Sequence, residues 1–493
     1  MKPLQMFAAT QPGLENLLLK EFAHLNVVLK KNIFIDTKAV PGGVEFSGHR
    51  LALYSANFNL RTATRVLLRV GKPFRAYYKN AFVEELEKAV EWSDYFSSKN
   101  KVSLHTRVTS TNSKLFHTGL IDQLVREALD GHINSNTGDN QNGQRLIVNG
   151  HNDRFRVSID TSGDDLFKRF YKTGESGDMP LRENVAAGLL QELEWDPKTP
   201  LIDPCCGTGT IPIEAALIRS RTAPGLVRTE NAEATDAYAF QQWPSYEPKT
   251  YKAVVETAQK AVKQTAPSGG PYILGFDRSK QAIQTARRCA ERANVSTYIN
   301  FEQKGIKAFT PPWKQGMIVL NPPYGPRAGE VRRLRSFFSN LGDVMRKVGN
   351  TMHLGILMPT ALDSRQNLFA TGLSWYNLGT PISVGGRRLQ ISKCFMDDEV
   401  PEEVKSSQVE KPEIPKRRNS TVYHDEDHMG YDERKEERPT FSNRREPSEE
   451  DLRRSSTREN AGYVERKGSR RTFRKYRRDD DERERENAGY VER

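Results

Sequence analysis

The segment Asn321-Pro322-Pro323-Tyr324 directly follows the apolar run Met317–Leu320. A proline after Asn321 holds that residue extended and its side chain outward. Pro322 and Pro323 carry no N–H, so their carbonyls face no competing local donor. An exocyclic amine on a nucleobase has two hydrogens and a lone pair drawn into the ring. The Asn321 side-chain oxygen and the Pro322 carbonyl suit acceptance of those two hydrogens, which would return the lone pair to nitrogen. Tyr324 offers an aromatic face on which a base can stack. A proline-rich turn closing a strand is the plain structural alternative. Its position behind an apolar strand, 118 residues beyond Asp203, favours chemistry.

That earlier position opens Asp203-Pro204-Cys205-Cys206-Gly207-Thr208-Gly209. It lies between a strand, Leu201-Ile202-Asp203, and a helix expected over Ile211 to Ile218. Glycines permit unusual dihedrals and close approach of a ligand to main chain. Free N–H groups at a helix start can face a polar ligand. Neither G-x-G-x-x-G nor a P-loop lysine is present, so a phosphate cradle is not the expectation. Asp277 ends the next strand, where a carboxylate can accept from both ribose hydroxyls; the alternative is that it caps the helix beginning near Ser279. Asp203, Pro204, Cys206, Gly207, Thr208, Gly209 and Asp277 are therefore the expected cofactor contacts. Asn321, Pro322, Pro323 and Tyr324 are the expected catalytic set. A nucleoside-bearing cofactor beside an amine clamp predicts transfer of a methyl group from a sulfonium, S-adenosylmethionine, to a base nitrogen. Cys205 and Cys206 are adjacent, unsuited to chelating one metal, and no metal is expected. Gly325-Pro326-Arg327, with Arg332, Arg333 and Arg335, reads as a basic loop near substrate phosphates or as a solvated helix start.

Such motifs need strand ends to hold them. Residues 180–400 alternate apolar strands with longer helices, the strands being Leu201–Asp203, Tyr272–Asp277, Ile299–Glu302, Met317–Asn321 and Leu354–Met358. This pattern predicts an α/β fold with a mostly parallel sheet covered on both faces, and ligands at its carboxyl ends. Residues 1–60 read as a small α+β unit and residues 61–165 as a second one. The α/β domain is assigned to 166–398 and a charged, disordered tail to 399–493, where large apolar residues become rare.

The chain has 493 residues, too long for one ordinary domain, and a net charge of +12. From Pro401 onward there are 24 basic and 24 acidic residues, so the whole excess resides in the first 400. A basic globular part suits a polyanion such as nucleic acid. The tail repeats Arg458–Arg466 at Arg485–Arg493 and carries a basic run with Phe473 and Tyr476, which suits RNA or a solvated spacer alike. Four cysteines without zinc-finger spacing, no long apolar run and no signal-peptide pattern predict a soluble cytoplasmic protein without a membrane partner.

At this point the chain resembles a known family, the class I S-adenosylmethionine-dependent RNA methyltransferases with an N-terminal THUMP domain. Among them it is most similar to the N-terminal half of bacterial large-subunit rRNA guanine-N2 methyltransferases. The likeness rests on Phe7–Glu15, Thr161–Tyr171, Pro180–Glu183, Asp203–Thr210, Ala223-Pro224-Gly225-Leu226 and Asn321–Arg327. It implies a Rossmann-like methyltransferase domain behind a ferredoxin-like and THUMP region that grips RNA. It also implies methylation of guanine N2 in 23S rRNA or its assembly intermediate, with tRNA in place of rRNA as an alternative. The sequence departs from the family at Gly305, where an aspartate usually meets the adenine amine, and lacks a second methyltransferase domain. Other readings are a DNA adenine-N6 methyltransferase and a non-catalytic RNA-binding assembly factor.

Overall fold

In the computed structural model the described residues are 2–97, 102–133, 143–172, 181–232, 237–263, 272–308, 310–322, 330–348, 352–395 and 400–410. Two seven-stranded sheets account for the architecture. The first contains β1 (Leu4–Thr10), β2 (Ile35–Val40), β3 (Gly43–Gly48), β4 (Ala63–Arg75), β5 (Leu104–Thr111), β6 (Gln144–His151) and β7 (Arg154–Asp160). Their order is β2-β3-β1-β4-β7-β6-β5, with β5 and β6 parallel and every other pair antiparallel. Period-two alternation puts Met6, Ala8, Val66, Leu68, Leu146, Val148, Val157 and Ile159 into one core. Helices Glu15–Val28, Arg50–Asn59, Lys79–Lys88 and Thr118–Ala128 add Phe22, Phe58, Phe82 and Ile121 to it. The opposite face carries Arg69, Arg107, Arg145 and Arg156, half-exposed or exposed, together with the buried Leu67 and Ser158.

This sheet runs across the 60/61 boundary drawn from the sequence. β4 pairs with β1 on one side and β7 on the other, so the two α+β units share one sheet. No strand is assigned from sequence over Ala63–Arg75, which contains Gly71-Lys72-Pro73. The structure absorbs these residues as an irregularity between Val70 and Phe74, with Gly71 at φ +62°.

The second sheet contains β8 (Leu201–Asp203), β9 (Ile273–Asp277), β10 (Ile299–Gln303), β11 (Gly316–Leu320), β12 (Met352–Pro359), β13 (Tyr376–Val384) and β14 (Arg387–Cys394). The order is β10-β9-β8-β11-β12-β14-β13; the first five strands are parallel and the last two antiparallel. Successive residues enter opposite cores. Leu201, Ile273, Met317 and Val319 join one, and Ile202, Leu274, Ile318 and Leu320 join the other. Burial on both faces explains why these strands read as unbroken apolar runs.

The sheets are bound together by exchanged elements. Residues between β8 and β9 carry the helices Pro224–Asn231 and Pro248–Ala261, yet Tyr238, Phe240, Trp243, Tyr251 and Val254 complete the first core. A Cβ at Gly225 would stand 2.5 Å from the Phe58 ring, so this glycine lets the helix start seat on Phe58. In the other direction Leu14 and Leu17 belong to the second sheet's core. Between them runs Thr161–Tyr171, whose carbonyls are held by arginine. Arg228 donates to the carbonyls of Asp164, Asp165 and Lys168 at 3.2, 3.0 and 3.0 Å. Arg169 and Glu214, both fully buried, face each other with Nε and Oε1 3.6 Å apart.

The helix Glu330–Val348 takes in Arg332, Arg333 and Arg335, which decides between the two readings of these arginines in favour of a helix start. Phe338, Leu341, Val344 and Met345, at helical spacing, seat it on the second sheet's core. Gly325-Pro326-Arg327 lies outside the described residues. The tail does not begin at 399. Residues 400–410 include the helix Glu402–Lys405 and then run beside β13, with Asn377 N donating to Ser407 O at 3.1 Å and Val409 N to Trp375 O at 2.8 Å. Val409 packs on the core and the open edge of β13 gains partners, which is why order extends there. The expected disorder and the repeat lie outside the described residues.

Candidate active site

In the second sheet the chain steps from β8 outward through β9 to β10, then returns to the other side of β8 as β11. Open α/β sheets bind ligands in a crevice where the strand order reverses, outside the carboxyl ends of the strands. Asp203–Gly209 leaves β8 and Asn321-Pro322 leaves β11, so the two motifs flank that point.

The turn after β8 is tied to its neighbours through backbone. Cys206 N donates to Phe276 O at 2.8 Å and Gly209 N to Cys206 O at 2.8 Å. Gly207 and Gly209 both have left-handed backbone, φ +53° and +84°. Their roles differ. A Cβ at Gly207 would meet nothing within 4 Å, so main chain is open to a ligand there. A Cβ at Gly209 would lie 2.9 Å from the Phe301 ring and 3.0 Å from the Ala286 Cβ, so Gly209 serves the turn and the packing of the helix Thr210–Arg219. Phe301 was not singled out from sequence. The alternation Ile299, Phe301 in a strand was the signal that it points inward.

Ser279 is the residue that caps the helix Lys280–Arg292, its Oγ accepting from Ala282 N at 3.2 Å, and Asp277 precedes it with acceptor capacity to spare. Asp277 Oδ1 accepts from Ser279 N at 2.8 Å and its Oδ2 from Gly207 N at 3.0 Å. Each carboxylate oxygen has a further lone pair for a ribose hydroxyl. Asp203 is buried and accepts from Cys205 N at 3.1 Å. Burial first, and then the nearby Asp277 charge, push its carboxyl up to about 8. Burial also raises the Cys205 and Cys206 thiols well above their usual range, which keeps them protonated and suits packing. Pro204 is buried and Thr208 half-buried in the same turn. Glu302, three residues before Gly305, is engaged with Asn300 Nδ2 at 2.8 Å and Lys304 Nζ at 3.6 Å. Gly305 is exposed with open space around its Cα.

On the β11 side, Asn321 Oδ1 is buried and has no hydrogen-bond partner among the described residues. Burying an unpaired amide oxygen is costly, so such an atom at a strand end points to a ligand that donates to it. Pro322 is buried beside it; Pro323 and Tyr324 lie outside the described residues. The open glycine, the remaining acceptor capacity of Asp277 and the unpartnered Asn321 oxygen fit S-adenosylmethionine with an amine donor alongside. Among the described residues no group of three or more His, Cys, Asp or Glu has metal-binding geometry, and no helix is long and apolar enough to cross a membrane.

Comparison with known proteins agrees with this arrangement. Residues 172–369 match the family described as "RMKL-like, methyltransferase domain", and residues 5–67 match the "RlmL ferredoxin-like domain". The chain is 28% identical over 348 residues to "Putative RNA methyltransferase slr0064" of Synechocystis sp., covering 69% of this chain and 85% of that protein. The structure of a "predicted N6-adenine-specific DNA methylase" from Listeria monocytogenes superposes with a TM-score of 0.65 at 27% identity, over 79% of this chain and 96% of that one. The fold is shared too with SMU.472, "a putative methyltransferase complexed with SAH", at TM-score 0.64 and 24% identity, over 81% of this chain and 100% of that one.

Proposed function

The chain carries an S-adenosylmethionine-dependent, RMKL-like methyltransferase domain behind an RlmL ferredoxin-like domain, and from this we propose that it methylates an exocyclic base amine in RNA, guanine N2 of 23S rRNA or its assembly intermediate. The observation that carries the reading is the buried Oδ1 of Asn321, without a hydrogen-bond partner among the described residues, across the strand-order reversal from the glycine turn. Support for RNA comes from the arginine-bearing first sheet and from the Synechocystis relative's name. We propose THUMP-like RNA binding for the region around 61–165.

In this reading Gly207 and Asp277 hold the nucleoside part of the cofactor, with Asp203 fixing the turn through Cys205 N. Bound S-adenosylmethionine supplies an electrophilic methyl carbon on a cationic sulfur. Asn321 Oδ1 and the Pro322 carbonyl accept the two amine hydrogens, draw the lone pair onto nitrogen and aim it. Tyr324 stacks on the base. No strong base is required, because the proton leaves after the new C–N bond forms. The rate enhancement comes from alignment and from fixed acceptors that need no reorganisation. The target base must be unpaired or flipped to reach the crevice.

The test is transfer of labelled methyl to naked 23S rRNA, total tRNA, duplex DNA and a large-subunit assembly particle, followed by nucleoside analysis. N2-methylguanosine in rRNA is expected. The same base in tRNA would move the substrate; N6-methyladenosine in DNA would overturn the substrate class. Absence of transfer with intact RNA binding would favour the non-catalytic assembly role.

A further inference from the structure

The aromatic residues of the first sheet are mostly buried, as in the Phe22–Phe34–Phe46 and Phe74–Phe82–Phe155 clusters. Tyr78, Phe116 and Tyr77 depart from this, at 70%, 66% and 39% exposure. They come from the segments that follow β4 and β5, at the end of the sheet where β6 turns into β7. Lys114 stands among them, its Nζ 5.1 Å from the Tyr77 ring centre and 5.8 Å from that of Tyr78. Arg75 and Arg154, opposite each other in β4 and β7, are exposed at the same edge.

The backbone beneath these side chains is fixed. Ala76 N donates to Asp153 O at 3.1 Å, Lys114 N to Asp153 Oδ1 at 2.6 Å, and Asp153 N to Ser113 Oγ at 3.0 Å. The Asp153 carboxylate is thus engaged with main chain, and the edge keeps a cationic balance around its exposed rings. Rings left in water beside a lysine and two arginines match one ligand chemistry closely. Each unpaired nucleotide offers a flat π-face for a ring and a phosphate for a cation. A purely apolar protein surface would use the rings and leave the cations without partners.

We infer that this end of the first sheet is a stacking platform for unpaired nucleotides of RNA, with Tyr78 and Phe116 taking base faces and Lys114, Arg75 and Arg154 taking phosphates. The inference rests on RNA being the substrate and adds where and how single-stranded segments are held.

The experiment measures binding of a fluorescent single-stranded RNA, and of the same sequence as a duplex, to the full chain and to Tyr78→Ala, Phe116→Ala, Tyr78→Phe and Lys114→Ala. Each ring truncation should weaken single-strand binding roughly 5- to 150-fold while leaving the salt slope and duplex binding near the parent's. Tyr78→Phe should keep the affinity, and Lys114→Ala should lower the log–log salt slope by about 0.7. In methyl transfer the ring variants should raise KM with kcat unchanged. Unchanged single-strand affinity in both truncations, or equal loss on the duplex, overturns the platform. If ring-dependent binding is found and no RNA accepts methyl, the platform stands and the proposed activity falls. If RNA is methylated and the truncations bind as the parent does, the activity stands and the platform falls.

Discussion

The two sheets have seven strands each and put them to different ends. The second is parallel through its centre and buried on both faces, so its chemistry is confined to the carboxyl ends of β8, β9 and β11, where the strand order reverses. The first is mainly antiparallel, with one face in the core and Arg69, Arg107, Arg145 and Arg156 on the other, among apolar residues that include Leu67 and Ile147. A crevice suits a small cofactor and one base. A basic sheet face suits a long polyanion. In the proposed reading, connectivity more than composition divides catalysis from grip.

The division depends on a joint that can be broken. Arg169→Ala leaves the fully buried Glu214 without its ion-pair partner, and among the described residues neither Glu214 oxygen has a hydrogen bond. A loss of about 3–5 kcal/mol is expected from denaturant unfolding. A loss near zero would mean that the sheets are joined by their apolar exchange alone.

Asn321→Ala should separate the crevice from the grip. A drop of roughly 10²–10³ in kcat is expected, with cofactor affinity within a few fold and RNA affinity nearly unchanged. Isothermal titration beside single-turnover transfer checks this; parallel loss of cofactor binding would remove the assigned role of Asn321.

The Asp203 carboxyl sharpens the contrast through pH. Its folded-state value of about 8 lies above the ordinary 3.8, so between these limits the unfolded chain is ionised there while the folded one keeps its proton. The folded state binds more protons, and this group's contribution to stability therefore falls as pH rises from about 4 to about 8, by at most about 1.4 kcal/mol per pH unit. Asp203→Asn should flatten that slope and melt above the parent near pH 8 in the absence of cofactor. Superimposable pH profiles of the two would contradict the assignment.

The smallest effect belongs to the open face. Arg107→Ala should weaken RNA binding by a few fold at low salt, lower the log–log salt slope by about 0.7 and leave melting and kcat alone. An altered kcat would show that the two sheets are not functionally separable in this way.

Legibility followed burial. The parallel strands were readable because both faces are apolar, as in Met317-Ile318-Val319-Leu320. β4 was not, because Gly71-Lys72-Pro73 carries the local signature of a turn while the flanking strands hold it in the sheet. The β13–β14 hairpin was overlooked although Gly385-Gly386, both left-handed, is a turn signal. Gly209 read as a ligand contact and proved to be closely packed against Phe301, since a glycine permits either approach and sequence does not say what approaches.

The amino-acid sequence by itself determined the kind of chemistry, through residues acting within a few positions of one another: proline behind Asn321, glycines behind Asp203, and apolar strands before both. What the tertiary structure decided was non-local. It determined that β4 unites two apparent units, that the segment carrying Tyr238 and Phe240 completes the core of the other sheet, and that Arg169 meets Glu214. It left Asn321 Oδ1 buried, without a partner among the described residues, at the reversal of strand order. The physical reason is that spacing encodes which face of an element is apolar, but the surface that covers that face is selected by the packing of the whole chain.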